Sequence, residues 1–443
     1  MDTADLRRSA RLIWESALNA ANPETCLRKF IQVKDGVVSI AGRPLAFSGR
    51  LIVVGTGKAS AKMAQVAEEI LDGRIAAGLV VTKYDHSLPL QRIQLVEAGH
   101  PLPDAAGVGA VELTRAMLRD LKEEDLVLCL ISGGGSALWP APADGITLEQ
   151  KQEVTQLLLR AGASIRELNA VRKHLSAIKG GQLARWAAPA RVVSLIMSDV
   201  IGDPLDFIAS GPTAPDTTSF SDAVAIVQKY GVSVPESVNR RLQDGALGRI
   251  PDTPKPGDPV FARVENHIIA NNRLLVAAAL EKARELKFNT LVLSTEVEGE
   301  AREVGRFFTA VAREIGHSGN PVRPPACVLA AGETTVTVRG NGAGGRNQEM
   351  ALAWAIDVAA RSPDRPSCFA SVATDGSDGP TSAAGGLVDP STCSRAVEMG
   401  LNPSQFLSAN DSFNLLKATG DLIVTGPTQT NLMDLQILLV GGI

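Results

Sequence analysis

The stretch Leu126–Ala137, LVLCLISGGGSA, concentrates more chemistry than any other in the chain. Leu126 to Ile131 are six apolar residues, too few for a buried helix and the right number for a strand covered on both faces. Ser132, Gly133, Gly134, Gly135 and Ser136 follow. Glycines carry no Cβ, so backbone N–H groups can turn inward toward a ligand. A helix starting near Ser136 adds its own N–H groups and roughly half a positive charge. Strand, turn and helix start together form a phosphate cradle; the plainer reading is a tight strand-to-helix turn. A second glycine turn, Gly55-Thr-Gly57-Lys58-Ala-Ser60, ends the run Arg50–Val54 and puts a lysine at its mouth. It is not a Walker A loop, because Ile52 stands where the first glycine belongs and Ala59 follows the lysine. As a dinucleotide fingerprint it is weak, because Ser60 replaces the third glycine.

Further groups of the same kind recur downstream. Arg172, Lys173 and His174 close a helical stretch, and Lys179-Gly180-Gly181 follows within ten residues; positive charge beside a glycine pair fits an anion site or a solvated basic face. Asp199 and Asp203 follow the apolar run Val192–Met197, where open α/β sheets place ligands. Gly344-Gly345-Arg346-Asn347 opens another helix, and a planar guanidinium matches a phosphate or carboxylate edge. Thr374-Asp375-Gly376-Ser377-Asp378-Gly379 packs two carboxylates and two hydroxyl side chains into six residues. Its spacing excludes an EF-hand, but one or two carboxylates suffice for Mg²⁺. His100, in Gly99-His100-Pro101-Leu-Pro103-Asp104, is a further candidate for substrate contact.

These groups need elements to hold them. Residues 3–30 read as one or two amphipathic helices, with Leu6, Ala10, Ile13, Trp14 and Ala17 on one face. Asp35-Gly36 reads as a hairpin turn. From residue 50 strands and helices alternate: strands at 50–54, 78–83, 94–98, 126–131 and 192–197, and helices at 59–71, 106–121, 147–161, 165–174 and 182–187. That alternation is the pattern of a parallel sheet with helices on both faces. Residues 219–247 read as helical. Residues 249–261 hold four prolines and no periodicity, which makes them a linker or a wrapped arm and the best boundary. A second α/β unit follows, with strands at 264–270 and 290–295, helices at 272–287 and 300–316, a strand pair or bent strand over 327–338, a helix over 347–360, and strands at 370–373, 421–425 and 435–440.

With 443 residues, 45% of them hydrophobic and 21% charged, the chain reads as a globular protein of two domains. A formal net charge of −4 and 4% aromatic residues give no case for nucleic acid or an anionic membrane as partner. Five scattered cysteines with no CxxC fit a reducing, cytoplasmic setting and no zinc knuckle.

Taken in order, GTGKAS (55–60), AGHPLPD (98–104), ISGGGSAL (131–138), NAVRKHLSAIKGGQLA (169–184), SDVIGDPLDFIASGPT (198–213), GGRNQEMAL (344–352) and ATDGSDGPT (373–381) resemble the type-2 glycerate kinases, the glycerate 2-kinase family with a C-terminal MOFRL region. The resemblance spans nearly the whole chain. It implies a Rossmann-like domain over 1–250, a smaller α/β domain over 260–443 with its MOFRL region at about 325–435, and an active site in the cleft between them. It further implies ATP-dependent phosphorylation of D-glycerate at the 2-hydroxyl, with ATP and Mg²⁺ as cofactors; a homodimer is the common default assembly. The family's lysine falls on Lys58, its arginine on Arg346 and its acidic loop on Asp375. On this reading Lys58, Arg346, Asp375 and Asp199 are catalytic. Gly57, Ser132 to Ser136, Lys179, Gly345 and Asn347 hold nucleotide, and Asp375 and Asp378 hold metal. Two competing readings are an NAD(P)-dependent hydroxypyruvate reductase, a label often given to such chains, and a non-catalytic nucleotide sensor.

Overall fold

The computed structural model describes residues 1–45, 47–361 and 363–442. It divides into two compact units. One is Pro23–Ile269; the other joins Met1–Asn22 to Ala270–Ile443. This differs from a boundary inside 249–261, and the reason is local. The proline-rich arm is pinned to the first unit: Thr253 Oγ1 donates to Asp216, Asp216 N to the Pro254 carbonyl, and the Asp252 carboxylate meets His174 Nε2 at 2.9 Å.

In the unit Pro23–Ile269 a six-stranded sheet runs, edge to edge, Ile93–Ala98, Ile75–Lys83, Leu51–Thr56, Leu126–Ile131, Arg191–Met197, Val264–Ala270. Pairings among the first five are parallel. Numbered from Leu51–Thr56, that order is 3-2-1-4-5-6, the doubly wound Rossmann arrangement. The two central strands, Leu51–Thr56 and Leu126–Ile131, are buried along their whole length, as continuous apolar runs require. A second apolar cluster lies among the helices Leu148–Arg160, Ile165–His174, Phe220–Lys229 and Glu236–Ala246. Capping boxes start three of them, Thr147 with Gln150, Ser164 with Glu167 and Ser219 with Asp222. Residues 219–247 form two helices instead of one, broken where Gly231 takes a positive φ and Pro235 follows. The hairpin at Asp35-Gly36 joins Ile31–Lys34 to Val37–Ile40.

The other unit has a mixed sheet, ordered Asn289–Val297, Ala326–Gly332, Asp434–Val440, Ser367–Ala373, Gly385–Val388, Leu422–Ile423. Only the first pair is parallel; the rest run antiparallel. Its three central strands are buried throughout. Helices Ala301–Ser318 and Arg346–Ala360 supply much of its core. The amphipathic helix Thr3–Ala20 packs with Asn272–Glu285 and with the strands of this sheet. Arg7 fixes it by ion pairs to Asp389 and Asp421. The bent strand expected over 327–338 stops at Gly332, where the backbone of Val297 fills the space a Cβ would need.

Candidate functional site

In a 3-2-1-4-5-6 sheet the strand order reverses between the first and fourth strands, and ligands bind outside the carboxyl ends there. Those ends are the turns 55–60 and 132–136. They brace one another: Lys58 N donates to the Gly133 carbonyl at 2.8 Å, Ala59 N to Ser132 Oγ at 2.9 Å, and Ser132 N to the Thr56 carbonyl at 3.0 Å. Gly57, at φ +129°, lies so close to Ser132 that a Cβ would overlap its Oγ. Gly57 and the fully buried Ser132 therefore serve the contact between the turns, where nucleotide binding had been expected of them. Gly133 and Gly135 are buried as well, and Gly134 and Ser136 are the partly open members of the loop. A Cβ on Gly134 would meet the His100 ring at 3.0 Å and the Lys58 side chain at 3.4 Å, so both residues stand at the open part of the turn.

Ser136 is ringed by cations. Its Oγ accepts from Arg172 at 2.8 Å and from Lys179 Nζ at 3.1 Å, and shares a 2.7 Å hydrogen bond with Ser210 Oγ. Lys179 Nζ also donates to the Ser136 carbonyl at 2.7 Å, and Lys151 Nζ donates to the Pro140 carbonyl at 3.1 Å. Lys151 and Lys179 are 6% and 1% exposed. Burial, with the charges of Arg172 and Arg241, holds Lys151 well below the ordinary lysine pKa. Burial, with the charges of Lys151 and Arg172, does the same to Lys179. Among the described residues none of the three cations pairs with a carboxylate. Their neighbours in sequence are different: Lys173 lies between Asp206 at 3.0 Å and Asp216 at 3.3 Å, and His174 meets Asp252. Buried cations without an acid, as Lys151 and Lys179 are, cost several kcal/mol each unless an anion compensates them.

In the other unit the ends of three strands bring acids to the start of the helix Arg346–Ala360. Gly332 and Ala373 both pair in register with Asp434, which places Glu333, Asp375 and Asp434 at one end of the sheet. Arg346 forks onto the buried Asp434, Nε to Oδ2 at 2.5 Å and Nη2 to Oδ1 at 2.9 Å, and its Nη1 reaches the half-exposed Glu333 at 2.9 Å. Burial opposes the charge of Arg346, but the Asp434 hydrogen bonds and the charges of Asp434 and Glu333 outweigh it and raise the pKa. Asp378 is buried and accepts from Asn347 N, Asn347 Nδ2, Gln348 N and Gln348 Nε2. Burial pushes its carboxyl up to about 6 against those hydrogen bonds. Asp378, expected to hold metal, caps the start of a helix here. Asn347 and Gly345, expected to contact nucleotide, lie at that same helix start. Asn347 is fully buried, with Oδ1 accepting from Ser371, and a Cβ on Gly345 would overlap Asp378.

Two of the expected carboxylates remain partly open. Asp199 lies in the turn after Arg191–Met197, and Asp375 accepts from Ser377 N at 3.0 Å. Among the described residues no three His, Cys, Asp or Glu side chains converge as a ready metal cage. Mg²⁺ needs no such cage, since one or two carboxylates with phosphate oxygens and water hold it. Asp199 and Asp375 are each a part-exposed carboxylate of that kind. Sequence reasoning missed Asp434, Glu333, Ser210 and Lys151. Asp434 had a signal: an acid opening the otherwise apolar LQILLV strand needs a partner.

Comparison with known proteins follows this geometry. Residues 9–243 match the model of a domain of unknown function (DUF4147), and residues 326–434 match the MOFRL family. The chain is 41% identical over 440 residues to a D-glycerate 2-kinase of Thermotoga maritima, covering 99% of each chain. It is 42% identical over 438 residues to a putative hydroxypyruvate reductase of Agrobacterium vitis, covering 98% of this chain and 94% of that one. The crystal structure of a Thermotoga maritima glycerate kinase superposes with a TM-score of 0.88 at 40% identity, covering 99% of this chain and all of the other. With two glycine turns at a Rossmann switch point, a MOFRL region carrying the paired arginine, and similarity along its full length, the chain belongs to the glycerate 2-kinase family.

Proposed function

We propose that this protein transfers the γ-phosphoryl group of ATP to the 2-hydroxyl of D-glycerate. The observation that carries the reading is the ring of Arg172, Lys179 and Lys151 around the Ser136 turn, two buried lysines and a part-buried arginine lacking an acid at a sheet's switch point. Phosphoryl transfer asks for little covalent chemistry; it asks for positioning and for positive charge on the moving group. Lys58, beside the open Gly134, and the cations around Ser136 are suited to supply that charge. Arg346 is a further cation suited to an anion. Asp434 fixes its plane, and the half-exposed Glu333 is the partner an incoming anion displaces. The part-exposed carboxylates of Asp199 and of Asp375 are each candidates to hold Mg²⁺ or to accept the proton of the substrate hydroxyl. Mg²⁺, when bound, neutralises charge on the phosphate oxygens.

Phosphorus NMR after incubation with D-glycerate and Mg-ATP tests the assignment. The expected product is 2-phosphoglycerate; 3-phosphoglycerate, or no ADP formed, overturns it. Lys58→Ala and Arg346→Ala should each lower kcat by on the order of 10²-fold or more. If both act on one transition state, the double variant costs less than the product of the two losses. A reductase is disfavoured by the first turn, where Ser60 stands in place of the third glycine of a dinucleotide fingerprint. Hydroxypyruvate should therefore leave NADH and NADPH unoxidised.

A further inference from the structure

The turn Ile208–Ser210 departs from ordinary backbone. Ala209, at φ +50° and ψ +21°, Ser210, at φ +61°, and Gly211, at φ +61°, are left-handed in succession. Glycine adopts that conformation freely. Alanine and serine adopt it at a cost, which persists only where the surroundings impose it. Here they do. The Ser210 carbonyl accepts from Gly180 N at 3.0 Å and the Gly211 carbonyl from Gly181 N at 2.7 Å, which clamps the turn to the glycine pair after Lys179. On its other side, a Cβ on Gly135 would meet the Ala209 methyl at 3.0 Å. The fully buried Ser210 therefore holds the Lys179 turn by its carbonyl and reaches Ser136 by its hydroxyl, with 2.7 Å between the two Oγ atoms.

Proton counting gives that hydrogen bond a direction. A hydroxyl has one proton to donate and two lone pairs. Both lone pairs of Ser136 Oγ are taken, one by Arg172 and one by Lys179 Nζ. Its proton therefore goes to Ser210 Oγ, and Ser210 turns its own toward Asn169 Oδ1, 3.4 Å away. We infer that Ser210 is a positioning residue for phosphoryl transfer: it accepts the Ser136 proton, so that both lone pairs of Ser136 face Arg172 and Lys179 and hold them in place. The inference rests on the kinase reading and adds to it a residue that acts through Ser136. Glycine would suit φ +61° better, and what serine adds there is the oxygen. Without that oxygen the Ser136 proton swings back and competes with the two cations for their shared acceptor.

Steady-state kinetics in ATP and D-glycerate, with thermal melting alongside, tests this on the full chain. Ser210→Gly removes the oxygen and relieves the backbone, so the melting temperature should stay near wild type, while kcat/KM for ATP falls on the order of tenfold. Ser210→Ala keeps the left-handed cost and should lose the same activity. In a Ser136→Ala background, Ser210→Gly should cost nothing further, because its route to the cations is gone. Activity within about twofold of wild type in Ser210→Gly overturns the inference. So does a melting temperature that drops along with the activity, or losses that multiply in the double variant. Calorimetric titration with tripolyphosphate separates this inference from the reaction. A wild-type chain that forms no 2-phosphoglycerate removes the kinase reading. Tripolyphosphate affinity about tenfold weaker in Ser210→Gly would still support the hydroxyl chain, and unchanged affinity would overturn it.

Discussion

Arg346 shows how much of a side chain's behaviour is set by residues far away in sequence. Its two-point contact with Asp434, 88 positions on, fixes the guanidinium plane in a way one ammonium group cannot reproduce. Arg346→Lys should therefore lose nearly as much kcat as Arg346→Ala, and Asp434→Asn should lower kcat while Arg346 is still present. Steady-state kinetics in both substrates checks this; a lysine variant close to wild type would show that charge alone matters. The sequence made the cations and glycines visible because their types are uncommon in such clusters. It could not say which cations are neutralised. Arg172, Lys173 and His174 are adjacent, yet Lys173 and His174 have acids from residues 206, 216 and 252, and Arg172 has none. Those partners arrive through tertiary folding, which no local spacing records.

At the level of elements, the helix Arg346–Ala360 illustrates the limit of reading a glycine loop as a ligand cradle. Gly345 precedes it, but its first free N–H groups are filled by Asp378. Asp378→Asn turns an acceptor into a group with two donors facing N–H groups, and should cost about 1–3 kcal/mol in urea denaturation. The pH dependence has a definite sign. With the folded carboxyl at about 6, above its unfolded value of roughly 3.9, the folded state holds the proton more tightly. That contribution is fully present below about pH 4 and is lost as pH rises through 6. The stability gap between wild type and Asp378→Asn should narrow between pH 5 and 7.5. The elements themselves were legible. Continuous apolar runs gave the strands at 126–131 and 192–197, and apolar spacing gave the helices at 147–161 and 165–174. The helical reading of 219–247 did not show the break at Gly231 and Pro235, nor did the strand pair or bent strand read over 327–338 show an end at Gly332, because both depend on backbone conformation or close packing.

The whole molecule departs most from the sequence reading at its first helix. Thr3–Ala20 reads as the opening of the first domain, but its apolar face is buried in the unit that holds residues 270–443. Amphipathic spacing says that a face must be covered and not by which sheet. Trp14→Ala should cost about 3–5 kcal/mol, and hydrogen exchange should quicken in Ser367–Ala373 while Leu51–Thr56 keeps its protection. Equal loosening of both strands would contradict the division. A related feature concerns biosynthesis. The strand Asp434–Val440 follows every other strand of its sheet in sequence, yet it lies between Ala326–Gly332 and Ser367–Ala373 in the middle of that sheet. On the ribosome, residues 23–269 can close while translation continues. The partner unit must wait, its opening helix and its flanking strands held apart, until this keystone segment emerges; a stalled or clipped message would leave two sheet edges bare.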